Sequence, residues 1–110
     1  MLKLVLGLLA LAWAGAAAAQ SDYGDRLKVG DWVLRDFRFA SGERMDGLRI
    51  HYATLGTPRR DPKGAVTNAV MVLHGTGGTG RQFLQPQFAG ELFGPGQPLD
   101  ISRYYVILPD

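Results

Sequence analysis

The sequence predicts an α/β fold in which an antiparallel hairpin leads into a parallel βαβ unit, with a signal peptide in front. Three observations carry that expectation. Residues 32–39 and 48–56 are rich in β-formers and alternate in polarity, as half-exposed strands do. Residues 69–73 (AVMVL) and 104–108 (YYVIL) are uninterrupted apolar runs, the pattern of parallel strands covered on both faces. Between those runs Leu84, Phe88 and Leu92 recur at helical spacing.

Residues 1–19 have the form of a secretory signal peptide. Lys3 stands beside the amino terminus, an apolar run covers residues 4–14, and Ala17, Ala18 and Ala19 supply a small-residue cleavage site. The run is shorter than the roughly 20 residues of a membrane-spanning helix, so export to the periplasm or beyond is expected rather than an uncleaved anchor, with no membrane attachment after cleavage. The chain contains no cysteine, which removes both lipidation at an N-terminal cysteine and any disulfide. Stability must therefore come from a packed core. Residues 20–30 are expected to form a leader of the mature chain, and residues 31–110 its folded portion. A hydrophobic content of 46% with 20% charged residues over 110 positions fits at most one soluble domain. Twelve basic and ten acidic residues are interspersed, so the basic stripe of a nucleic-acid binder is missing.

Taken in order, the first strand segment sets Val33, Phe37 and Phe39 opposite Asp36 and Arg38, and the second sets Leu48, Ile50 and Tyr52 opposite Arg49 and His51. Residues 40–47 between them contain Gly42 and Gly47, which suits a hairpin connection and leaves His51 on the solvent side. Residues 57–68, with two prolines, a glycine and four charges, read as an exposed loop. Pro86 suits a first helical turn and Gly94 a C-terminal cap. Strand, glycine loop, helix and strand then make a right-handed crossover. Trp32, Phe83, Phe88 and Phe93 are expected in the core.

The chemistry is concentrated in residues 74–80, HGTGGTG. Glycine at this density after a strand lets a ligand approach the main chain, and phosphate, a dinucleotide and the oxyanion of an acyl transfer all compete for that role. Gly75 and Gly80 have phosphate-loop spacing, but Arg81 and Gln82 stand where the lysine and the hydroxyl residue belong. GTGGTG also satisfies G-x-G-x-x-G. A dinucleotide loop, however, opens directly into a long helix and finds a ribose-binding acid about 20 residues on. Here Pro86 intervenes, Asp100 falls in a loop, and Asp110 lies thirty residues past Gly80. The third reading uses His74: a His-Gly loop after a strand can aim a backbone N–H at an oxyanion, with small residues admitting the substrate.

HYATLGTP (51–58), VMVLHGTGG (70–78) and LFGPGQPLDISRYYVILPD (92–110) together resemble, in that order, the N-terminal part of the α/β-hydrolase fold in its homoserine O-acetyltransferase-like branch. The resemblance spans residues 31–110. It implies that the backbone N–H of Thr76 is the oxyanion-hole donor, with His74 and Gly75 forming that hole beside it and Gly77 and Gly78 shaping the loop. It also implies a serine nucleophile on a later G-x-S-x-G elbow, followed by an acid and a histidine, all downstream of this chain. Ser21, Ser41 and Ser102 lack the elbow glycines, so no nucleophile is assigned among them. His74 is read as structural rather than as a base, and Asp110 as a cap or turn former.

The expected function is that of the N-terminal portion of an exported serine hydrolase acting on an ester or related acyl bond of a small-molecule substrate. No metal or organic cofactor is implied. Export removes the protein from cytoplasmic acetyl-CoA and favours hydrolysis over acetyl transfer. The 110-residue chain is expected to be inactive by itself. Two alternatives stand beside this reading: a non-catalytic truncated product, and a dinucleotide-binding module using residues 75–80.

Overall fold

Strands β1 (Lys28–Arg38), β2 (Arg44–Leu55), β3 (Ala69–Met71) and β4 (Tyr105–Pro109) form one mixed sheet in the order β1-β2-β4-β3 in the computed structural model, which describes residues 23–110. The signal-peptide expectation falls on residues outside that range. β1 and β2 pair antiparallel, β2 and β4 antiparallel, and β3 and β4 parallel. A seven-residue helix, α1 (Pro86–Leu92), lies between β3 and β4. The expected hairpin and parallel pair are both present.

The hairpin is longer than its sequence signal. Polarity alternation begins at Trp32, yet backbone pairing continues back to Lys28, opposite Thr54, because main-chain hydrogen bonds do not depend on side-chain polarity. Its turn is closed by Gly42 donating to the Phe39 carbonyl and Phe39 donating to Glu43. Gly42 takes a φ of 93°, a left-handed conformation that glycine enters without steric cost.

Residues 57–68 form an ordered loop organised by side chains. Asp61 accepts from the N–H groups of Lys63 and Ala65, and Arg60 pairs with Val66 as an isolated bridge. Asn68 is the anchor. Its amide donates to the carbonyls of Thr57 and Arg103 and accepts from the Arg59 N–H, while its own carbonyl accepts from the Tyr105 N–H. Asn68 thereby sets the start of β3 against the start of β4.

The core lies on one face of the sheet. Leu55, Val106, Leu108 and Phe93 are fully buried there, with Ala53, Phe83, Ala89 and Tyr23 around them. Burial of a leucine or phenylalanine side chain contributes about 1.5–3 kcal/mol, so these few residues dominate the packing. Tyr23 precedes β1 and packs edge-to-face on Phe93 at 5.7 Å between ring centroids. The apolar runs of β3 and β4 suggested cover on both faces, but the structure covers one. Met71 and Leu73 are exposed, and Trp32, Ile50, Tyr52, Tyr105 and Ile107 line an open groove of about 770 Å3 on the opposite face. Trp32, expected in the core, is 58% exposed in this groove. Phe88 is also not core. Because α1 buries Ala89 against the sheet, Phe88 turns outward and stacks on the edge of Phe83 at 5.4 Å.

α1 ends at the cap residue Phe93, one position before the Gly94 that the sequence suggested as the cap, and Gly94 does not take the left-handed conformation of a capping glycine. Its last carbonyls are satisfied by the returning chain: Leu99 donates to Leu92, and Ile101 donates to Phe93. The turn into β4 is held by Asp100, a buried residue whose carboxylate accepts from the N–H groups of Gly96 and Ser102 and from the Ser102 hydroxyl. The Gly96 N–H, then the Ser102 hydroxyl and N–H, hold the Asp100 carboxyl below its ordinary value of 3.8. A folded carboxyl that titrates below its unfolded value contributes stability that is complete above the unfolded value and is lost as pH falls through the folded one. Asp100→Asn is therefore expected to lower stability at neutral pH and to flatten the acid limb of the stability–pH curve below about pH 4. Denaturant melts between pH 7 and pH 2 check this, and parallel curves for the two proteins would contradict it.

Candidate functional site

The glycine loop leaves the sheet at the carboxyl end of β3. Val72 still donates to the Ile107 carbonyl of β4 at 3.0 Å, after which the chain turns away from the ladder. Ligand sites in α/β sheets lie at this end of the strands. The next hydrogen bond is local: Gly78 donates to the Gly75 carbonyl at 3.0 Å. With Gly77 at φ 80°, residues 75–78 form a type II turn, with Thr76 and Gly77 at its two central positions.

A second donor acts on the same carbonyl. The His74 Nδ1 atom lies 2.8 Å from the Gly75 oxygen. A carbonyl can only accept, so Nδ1 carries a proton in this arrangement. This pair of bonds controls the neighbouring group. Gly75 C=O and Thr76 N–H belong to one planar trans peptide and point in opposite directions, so holding the carbonyl fixes the heading of the amide. Among the described residues the N–H groups of Gly75, Thr76 and Gly77 have no hydrogen-bond acceptor, and all three residues are exposed. The structure thus brings His74, Gly75, Thr76, Gly77 and Gly78 into one tight turn, with a displayed main-chain amide at Thr76.

Past the turn the loop is anchored again on β4. Gly80 opens a short 3₁₀ turn, Gly80–Leu84, and its N–H donates to the Asp110 carboxylate at 2.8 Å. Gly80 is buried, and a Cβ there would lie 2.8 Å from the Leu108 carbonyl oxygen. That contact demands glycine through space rather than through φ. At Gly75, by contrast, a Cβ would meet nothing within 4 Å.

The remaining candidates are engaged elsewhere. Ser41 donates to Glu43, and Ser102 donates to Asp100, so neither hydroxyl is paired with a histidine. His51 is half-exposed on the hairpin, with Nδ1 2.7 Å from Asp31, and Arg49 approaches the same carboxylate at 3.3 Å. The His51 hydrogen bond, with help from Arg49, holds the Asp31 carboxyl below its usual range. No cluster of three or more metal-ligating side chains is present among the described residues.

No family model matches the chain. Its fold superposes on the crystal structure of homoserine O-acetyltransferase from Bacillus anthracis with a TM-score of 0.58 and 23% identity, covering 76% of this chain and 23% of that one. It superposes on esterase E22 with a TM-score of 0.58 and 21% identity, covering 76% and 24% of the two chains. The likeness is one of fold, to the N-terminal part of those α/β-hydrolase-fold chains. A probable acyltransferase of Methanothermobacter thermautotrophicus is 38% identical over 45 residues, which is 41% of this chain and 14% of that protein. The chain therefore spans about a quarter of the solved structures it matches and less of the curated relative.

The contrast between the two glycines is measurable. Gly80→Ala is expected to cost about 1–3 kcal/mol of stability, as overpacking against fixed backbone does. Gly75→Ala should stay within about 0.5 kcal/mol. Chemical denaturation of both variants checks the pair, and equal losses would contradict the close approach of the loop to β4.

Proposed function

We propose that this chain is the oxyanion-loop portion of an exported serine α/β-hydrolase that cleaves an ester or related acyl bond. The observation that carries this reading is the Thr76 N–H, unpartnered among the described residues and oriented by a doubly held carbonyl at the carboxyl end of the parallel strands. In acyl transfer a nucleophile adds to the carbonyl carbon, and the carbonyl oxygen acquires negative charge that is absent from the ground state. An amide already aimed at that position stabilises the charge without reorganising. The serine, acid and histidine of such a reaction are assigned to sequence outside this chain. The similar proteins support acyl chemistry through their names, which include an esterase, an acetyltransferase and a probable acyltransferase. The apolar, alanine-rich start of the chain favours hydrolysis over transfer from acetyl-CoA.

The dinucleotide reading has less support. Residues 75–80 lead into one 3₁₀ turn, and α1 begins only at Pro86, so among the described residues no α-helix N-terminus faces the loop in the way a pyrophosphate site requires. The acid at the end of β4 is also occupied by the Gly80 N–H.

Thr76 sits at the turn position where proline is favoured, which gives a clean test. In the protein carrying this segment together with its nucleophile, Thr76→Pro deletes the amide hydrogen while keeping the turn. It is expected to lower kcat on an aryl ester by about 100- to 1,000-fold with little change in KM. A variant that retains wild-type kcat would remove Thr76 from the site. A wild-type protein that acetylates an alcohol from acetyl-CoA without hydrolysing esters would overturn the reaction assigned.

A further inference from the structure

Asp110 does more than end a strand. Its main-chain N–H donates to the His51 carbonyl of β2 at 2.9 Å, and its carboxylate accepts from the Gly80 N–H at 2.8 Å. One residue thus ties the hairpin, β4 and the far end of the glycine loop together. Thr79, the residue that should cap the 3₁₀ turn, makes no side-chain capping bond. Asp110 instead accepts from the first N–H of that turn, at Gly80, from thirty positions away.

The loop therefore has two anchors, one on β4 and one on the residue that follows it. Val72 is bonded to Ile107 at its entry, and Gly80 is bonded to Asp110 at its exit. Between them run the seven residues 73–79, in which the Gly75 carbonyl accepts from His74 and Gly78 and the Thr79 carbonyl accepts from the Gln82 N–H of the following 3₁₀ turn, none of these bonds reaching the sheet. Those local bonds fix the heading of the Thr76 amide within the loop. They do not fix the loop on the sheet. We propose that Asp110 is a positioning residue, a carboxylate latch that sets the Thr76 N–H at a defined place over the carboxyl ends of β3 and β4. The catalytic part of this proposal rests on the acyl-transfer reading above, while the latch itself does not.

A carboxylate so placed acts through Gly80 and touches no reacting atom. Its removal should misplace the oxyanion donor and leave substrate binding intact, which distinguishes it from a general loss of fold. Asp110→Asn retains an oxygen able to accept from Gly80, and Asp110→Ala does not. Both are to be compared in the protein carrying this segment with its nucleophile, by amide hydrogen exchange over residues 74–80 and by ester turnover. The latch predicts faster exchange confined to that loop in Asp110→Ala, near wild-type exchange in Asp110→Asn, and a kcat lowered about 10- to 100-fold in Ala with KM within twofold. Substantial recovery of kcat in Asn is expected. Unchanged loop exchange in Asp110→Ala overturns the latch, and so does a fall in kcat that Asn does not relieve. If the wild-type protein turns over no acyl substrate, the functional reading has failed, and the exchange comparison still decides whether Asp110 holds the loop.

Discussion

β4 is the strand on which the other parts are hung. It joins the hairpin to the crossover unit by pairing antiparallel with β2 and parallel with β3. Two of its side chains, Val106 and Leu108, sit at the centre of the core against Leu55 and Phe93. The glycine loop is held at both ends from here, at its entry by the Ile107 carbonyl and at its exit by the side-chain carboxylate of Asp110, which follows the strand. The glycine at position 80 follows from the same strand, since its backbone lies against the Leu108 carbonyl and leaves no room for a side chain. Packing on one face of β4 and hydrogen bonding along its edges are thus one constraint, and the candidate site inherits its position from it.

The site itself depends on a property of every peptide bond. A planar trans peptide has only one way to display its N–H once its carbonyl is committed. His74 and Gly78 commit the Gly75 carbonyl, and the left-handed conformation of Gly77 lets the turn close. The amide at Thr76 is then set before any substrate arrives. Preorganisation of this kind is what makes a neutral donor effective, because the dipole does not have to be turned toward the charge as it develops. The His74 ring serves geometry here, holding the Gly75 carbonyl, a role that requires no proton transfer.

Much of the architecture was legible in the sequence because local patterns report local structure. Alternation at residues 48–56 marked β2, the apolar runs at 69–73 and 104–108 marked the parallel pair, and Pro86 and Gly94 bracketed α1. What was not legible depends on which faces of those elements meet. Trp32 and Phe88 read as core by composition, yet one lies in an open groove and the other outside the helix contact made by Ala89. The continuous apolar character of β3 and β4 suggested cover on both faces, whereas only one is packed among the described residues. In the loop, the run His74 to Gly78 could be singled out because histidine and glycine carry a local signal. Asp110 could be placed at a strand end, but its partner could not be named. A hydrogen bond across thirty residues leaves no spacing rule in the sequence, and neither does the four-way bonding of Asn68.

In the function proposed, the Thr76 amide faces an oxygen bearing negative charge during acyl chemistry. The most direct measurement is a crystal structure of the protein, with its nucleophile, bearing a phosphonate or trifluoromethyl ketone adduct that mimics the tetrahedral intermediate. The adduct oxyanion is expected within about 2.7–3.1 Å of the Thr76 nitrogen, with the Gly75 carbonyl still held by His74 and Gly78. An adduct whose oxygen is bound elsewhere, leaving the Thr76 N–H to solvent, would contradict it.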